Sequence, residues 1–184
     1  MTICIFPGTF NPIHEGHLKM AHFVLKKYNI EKIIFIPSYS PPHKTIAKNL
    51  ALHRYNMVKL AIQNNPKFDI SDIEYKSEGK SYSYITVKKI IEQYKIKNRL
   101  NFIIGADAFN NLEKWYNYAE LFKIVHFIVF PRMGEQVKDI KDCDYEIVDM
   151  EFVDISSTDI RMGKTCEIDK KIGEYIIKNG LYKI

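Results

Sequence analysis

The chain has 184 residues, 46% of them hydrophobic, and a formal net charge of +5. That length suits one domain, residues 1–184, with a substantial core, and the composition speaks against disorder. Lysines are scattered rather than gathered into a run, so the charge permits anionic small-molecule partners without calling for a nucleic-acid surface.

In chain order, Ile3-Cys-Ile-Phe6 is an uninterrupted apolar run, as expected of a strand buried on both faces of a parallel sheet. Pro7 and Gly8 end it. Thr9, Asn11 and His14 supply short polar side chains, and from His17 to about Tyr28 the apolar spacing is helical, with Leu18, Ala21, Val24 and Leu25 on one face. This loop therefore joins the carboxyl end of a strand to the amino end of a helix, where free amides and the helix dipole favour phosphate. Lys32–Ile36 predicts a second buried strand, followed by the proline-rich loop Pro37-Ser-Tyr-Ser-Pro-Pro-His-Lys44. Ala51–Asn64 predicts a helix and Phe68–Tyr75 a kinked or edge strand. Ser83–Tyr94 predicts a helix, and Leu100–Ile104 a buried strand ending at Gly105-Ala-Asp107. A helical stretch carrying Trp115 and Tyr116 follows, then strands at Ile124–Phe130 and Tyr145–Met150. Ile155-Ser-Ser-Thr-Asp-Ile-Arg161 reads as a cap and short helix, and Asp169–Lys178 as a closing helix before Asn179-Gly180.

Strands alternating with helices of ten to fifteen residues imply right-handed βαβ units. The expected fold is α/β: a Rossmann-like, doubly wound, mainly parallel sheet flanked by helices. There are no internal repeats and no linker. Cys4, Cys143 and Cys166 lie far apart without a C-x-x-C pair, which argues against a zinc site or a disulfide framework and fits a reducing compartment. No stretch approaches the roughly 18 to 20 apolar residues of a membrane span, and no basic, long-cored leader opens the chain, so a cytoplasmic, membrane-free protein is expected.

Taken alone, each polar group has an ordinary structural reading: His14 and His17 as loop residues, Ser156 to Thr158 as a helix cap, Gly105 and Asp107 as a strand-to-helix turn, Trp115 and Tyr116 as core aromatics. Two histidines also fall short of a metal site. Context changes the balance. Gly8-Thr9-Phe10-Asn11-Pro12-Ile13-His14-Glu15-Gly16-His17 resembles the signature loop of the nucleotidyltransferase superfamily with an HxGH motif, and Ile155-Ser-Ser-Thr-Asp-Ile-Arg161 matches its second motif, ISSTxxR. Pro41-Pro-His-Lys44, Gly105-Ala-Asp107 and the Trp115-Tyr116 pair are similar to the bacterial nicotinate-nucleotide adenylyltransferase branch. The resemblance covers nearly the whole chain.

The resemblance implies transfer of AMP from ATP to nicotinate mononucleotide, with release of pyrophosphate, in NAD biosynthesis. It implies His14, His17, Lys44 and Arg161 as catalytic residues. Gly8, Thr9, Phe10, His14, His17, Gly105, Asp107, Ile155, Ser156, Ser157, Thr158 and Arg161 are implied on ATP. Asn11, His43, Lys44, Tyr82, Thr86, Trp115 and Tyr116 are implied on the mononucleotide, Trp115 by stacking on the pyridine ring. Magnesium is implied as an ion held mainly by substrate phosphates and water, without a protein cage. Such chemistry needs alignment and donors aimed at phosphate oxygens rather than a covalent nucleophile. One departure stands out: Ser83-Tyr-Ile-Thr86 occupies the place of a usual Thr-x-Asp-Thr, so Ile85 replaces an aspartate. Phosphopantetheine or nicotinamide mononucleotide as acceptor, and a binding module without catalysis, remain the competing readings at this point. Self-association is compatible with the sequence.

Overall fold

The structure is a computed structural model that describes residues 2–42, 46–47, 49–77, 79–132, 134–150, 155–165 and 167–183. Its strands are β1 (Ile3–Gly8), β2 (Lys32–Pro37), β3 (Phe68–Ile70), β4 (Leu100–Gly105), β5 (Val125–Phe130) and β6 (Tyr145–Ile147). They form a six-stranded sheet in the order β3-β2-β1-β4-β5-β6. Every neighbouring pair is parallel, with β1 registered on β2 from Ile3↔Lys32 to Gly8↔Pro37 and on β4 at Cys4↔Asn101 and Ile5↔Phe102. This is the expected doubly wound arrangement.

The helices are α1 (Glu15–Lys27), α2 (Leu50–Ile62), α3 (Ser83–Tyr94), α4 (Ala106–Phe109), α5 (Tyr118–Ile124), α6 (Ser157–Arg161) and α7 (Lys170–Lys178), with a 3₁₀ turn at Leu112–Lys114. Period-two alternation along strands covered on both sides explains the unbroken apolar runs. Cys4 and Phe6 of β1 join Ile33 and Phe35 of β2 in one core with α1, α2 and α7. Ile3 and Ile5 join Ile34, Phe102 and Phe127 in a second core against α3, α4 and α5. The chain order reverses between β1 and β4, the switch point of an open α/β sheet. In open α/β sheets the loops leaving the two strands at such a point diverge and bound a crevice at the strands' carboxyl ends, where ligands bind.

Several boundaries differ from expectation. α1 starts at Glu15, which makes His14 its N-cap and puts His17 in its first turn. The strand expected over Phe68–Tyr75 is three residues long, because β3 lies at the sheet edge and the chain turns away beyond Ile70. β6, at the other edge, stops at Ile147 rather than Met150 for the same reason. Trp115 and Tyr116 are not helical: α4 ends at Phe109, and Trp115 caps the 3₁₀ turn in an extended conformation. No helix of the described residues is long and apolar enough to cross a membrane.

Candidate functional site

The loop between β1 and α1 is built around a buried ring. Phe10 has a left-handed φ of 47° and is 2% exposed. Its ring packs on Phe6, Phe35 and His17 at centroid distances of 5.4, 5.8 and 5.1 Å. A Cβ on Gly8 would come within 2.8 Å of that ring, so glycine is required where the loop folds back over it. Phe10, expected among the ATP contacts, thus turns its side chain away from the crevice and offers a ligand only its backbone.

With the loop pinned, the two histidines stack, ring centroids 3.8 Å apart. The His14 amide donates to His17 Nδ1 at 3.3 Å. A ring nitrogen that accepts cannot carry the proton, so neutral His17 is protonated on Nε2. His14 is 8% exposed and its Nδ1 is buried with no hydrogen-bond partner among the described residues. Burial, with the nearby positive charge of Arg132 second, lowers its pKa from the ordinary 6.5 to about 4. At neutral pH His14 is therefore an uncharged imidazole. Gly16 lies against this ring: a Cβ there would meet His14 Nδ1 at 3.0 Å and Ile155 Cβ at 3.6 Å.

The second motif docks onto the first. Ser156 caps α6, its hydroxyl accepting from the Thr158 amide at 3.2 Å. Ser157 Oγ donates to the Pro12 carbonyl at 3.0 Å, and Arg161 donates to the Asn11 carbonyl at 2.6 Å and to Thr158 Oγ1 at 3.1 Å. Asn11 in turn accepts from the Tyr182 hydroxyl through Oδ1, which leaves its amide nitrogen as the outward donor. Residues some 145 positions apart, Ser157 and Pro12, are thus hydrogen-bonded into one phosphate-type cradle. Arg161 uses part of its donor fork to hold the loop.

At the end of β4, Gly105 is the N-cap of α4 and Asp107 lies exposed in its first turn. Asp107 faces Arg132, which follows β5, at 3.6 Å. On the acceptor side Tyr82 is the N-cap of α3 and stacks on Tyr116 at 4.7 Å, with Tyr84 6.5 Å from the same ring. Trp115 is half-buried, its ring 6.4 Å from Phe102. Thr86 is 5% exposed and its hydroxyl donates to Glu74 Oε1 at 2.9 Å, so its single proton is directed away from any ligand. His43 and Lys44 lie outside the described residues.

Four residues of this neighbourhood were not anticipated. Arg132 reads in sequence as a solvated arginine after a strand, and nothing there announces its approach to His14. Tyr182 and Glu74 likewise carry no local signal. Arg54 does carry one: with Ala51, Met57 and Val58 it falls on the buried stripe of α2, a cation where an apolar residue belongs. It is 1% exposed and donates to the carbonyls of Thr9 at 2.7 Å and Tyr39 at 3.3 Å.

The cytidylyltransferase-like family model matches residues 5–163. Full-length relatives include the probable nicotinate-nucleotide adenylyltransferase of Caldicellulosiruptor saccharolyticus, 37% identical over 100% of both chains. That of Clostridium botulinum is 40% identical over 97% of this chain and 98% of the relative. Among solved structures, Plasmodium falciparum nicotinic acid mononucleotide adenylyltransferase complexed with NaAD superposes with a TM-score of 0.80 at 23% identity, covering 98% of this chain and 97% of that one. The chain belongs to the cytidylyltransferase-like family and, within it, to the nicotinate-nucleotide adenylyltransferases.

Proposed function

We infer that this chain, working as one domain, transfers the adenylyl group of ATP to nicotinate mononucleotide, giving nicotinate adenine dinucleotide and pyrophosphate. The observation that carries the reading is the fusion of the two phosphate-type motifs: Arg161 and Ser157 hydrogen-bonded to the Asn11 and Pro12 carbonyls of the loop that leads into His14 and His17, at the switch point of the sheet. In the reaction a phosphate oxygen of the mononucleotide forms a bond to the α-phosphorus of ATP, while the bond from that phosphorus to the bridging oxygen breaks and pyrophosphate leaves. The attacking oxygen already carries negative charge, so no protein nucleophile or base is required. The protein's part is in-line alignment and stabilisation of charge on the phosphate oxygens.

His14 acts there as a neutral dipole and His17 as a donor through Nε2, while Arg161, Arg132 and Lys44 supply formal positive charge. Thr9, Gly8 and the Phe10 backbone line the α-phosphate side. Ile155, Ser156, Ser157 and Thr158 border the β- and γ-phosphates, and Gly105 and Asp107 border the nucleoside. Asn11 approaches the mononucleotide, whose flat ring fits the Trp115, Tyr82 and Tyr116 aromatic edge. Its carboxylate suits the start of α3 at Tyr82–Ser83, where helix amides lack intrahelical acceptors.

A divalent ion, magnesium in this reading, neutralises the triphosphate. The ion is held mainly by phosphate oxygens and water. The site works on small molecules in the cytoplasm, without nucleic acid.

The test is pyrophosphate release from ATP and Mg²⁺ with nicotinate mononucleotide, nicotinamide mononucleotide and phosphopantetheine in parallel. Release favouring nicotinate mononucleotide is expected. Preference for another acceptor overturns the acceptor assignment, and silence with all three overturns adenylyl transfer.

A further inference from the structure

Beneath the crevice, buried polar groups connect elements that sequence distance keeps apart. Glu74 follows β3 and is 6% exposed, yet its carboxylate is well supplied with donors. Oε2 accepts from the Tyr39 amide at 3.2 Å and Oε1 from Thr86 Oγ1 at 2.9 Å. Ser81 also ties to Ser40 in both directions, its amide donating to the Ser40 carbonyl and its oxygen accepting from the Ser40 amide, each at 3.0 Å. From Tyr39 the chain of contacts continues through Arg54 to the Thr9 carbonyl. A cavity of ≈ 250 Å³ opens beside Glu74, Ser81, Tyr82 and Thr86.

We propose that Glu74 is a positioning residue that clamps the start of α3, through Thr86 and beside the direct Ser81–Ser40 bonds, to the Tyr39–Ser40 loop and thereby holds the acceptor-binding edge in register with the Thr9–His17 loop. The chemistry is that of a buried carboxylate used as a two-donor junction. A carboxylate accepts at both oxygens, so a main-chain amide from one loop and a hydroxyl from a helix can be held at fixed separation. Thr86 belongs to this clamp rather than to the ligand. The clamp touches no reacting atom and acts through the placement of Tyr82 and the α3 amides. It rests on the reading that the mononucleotide binds at that helix start.

Glu74→Gln tests this with almost no change of volume: one oxygen becomes an NH₂, which cannot accept from the Tyr39 amide and which Thr86 Oγ1 meets only by turning its own proton to the Tyr82 carbonyl, so the charged two-donor junction is lost. The KM for nicotinate mononucleotide is expected to rise about tenfold, the scale of one hydrogen bond to a charged group, with the KM for ATP within about twofold. Thr86→Val should reproduce the effect, Thr86→Ser should recover most of it, and the double variant should lose no more than Glu74→Gln alone. A purely structural Glu74 would lower the melting temperature and leave the KM ratio of the two substrates unchanged, and that result, or an equal rise for both substrates, overturns the proposal. Amide hydrogen exchange in the substrate-free protein is read without turnover. In Glu74→Gln, amides of Tyr39–Ser40 and Ser81–Thr86 should exchange faster while those of β1 and β4 do not. Unchanged exchange refutes the clamp, whereas a wild-type protein silent with nicotinate mononucleotide refutes the acceptor reading.

Discussion

His14 makes the stability of this protein depend on pH in a calculable way. Its native pKa is depressed to about 4 by burial and by Arg132, against 6.5 when unfolded. Because the native value is the lower one, the stability it confers is complete above pH 6.5 and is lost as the pH falls toward 4, as the unfolded chain takes up a proton that the folded one refuses. Between pH 7.5 and pH 5 linkage makes this about 2 kcal/mol, which at this chain length moves the melting temperature by roughly 4 to 8 °C. His14→Asn removes the titrating group and leaves every other carboxylate and histidine in both proteins. The assay is urea or thermal unfolding of both at pH 7.5 and pH 5, compared as a difference of differences. The wild type should lose about 2 kcal/mol more than the variant over that interval. Equal losses, or an His14 imidazole that titrates near 6.5 by NMR, would refute the burial argument and with it the neutral role given to this residue.

Other sites yield equally direct expectations. Gly16→Ala places a methyl 3.0 Å from His14 Nδ1, and the ring, stacked on His17, has little room to yield; turnover should fall by about 10² with the fold intact, as measured by pyrophosphate release and circular dichroism. Arg54→Met strips the Thr9 and Tyr39 carbonyls of their donor, which should cost about 2–5 kcal/mol in urea unfolding. Burial raises the Glu74 pKa while hydrogen bonds and, last, the Arg54 charge lower it, so part of the deficit without Arg54 should fade as the acid takes up its proton on acidification; a deficit below about 1 kcal/mol would contradict this. Tyr182→Phe frees the Asn11 amide to rotate, so kcat/KM should drop about five- to tenfold without a comparable loss of stability, and an unchanged rate would separate Tyr182 from the site.

The sequence by itself determined the layout. Ile3 to Phe6, Lys32 to Ile36 and Leu100 to Ile104 read as doubly covered strands because each face of the sheet meets a helical layer, and such strands leave no polar alternation to misread. The first and second motifs each lie within a few residues, which is the short-range spacing a linear chain records, and the folded chain hydrogen-bonds the second to the first. Edge elements were less legible. β3 and β6 ended early because a strand paired on one side is limited by its single neighbour, which local sequence does not reveal.

What only the tertiary structure decided was where individual side chains spend their donors. Phe10 looked like a loop residue beside ATP and is a buried pillar. Thr86 looked like a ligand contact and gives its proton to Glu74. Arg132, Arg54, Glu74 and Tyr182 come from separate stretches of chain, and their partners at Asp107, Thr9, Tyr39 and Asn11 lie between 15 and 171 residues away. Burial of a polar group is settled by what packs over it and by which distant atom satisfies it. Both depend on the assembled sheet and its covering helices, so neither is written in the neighbours of that residue along the chain.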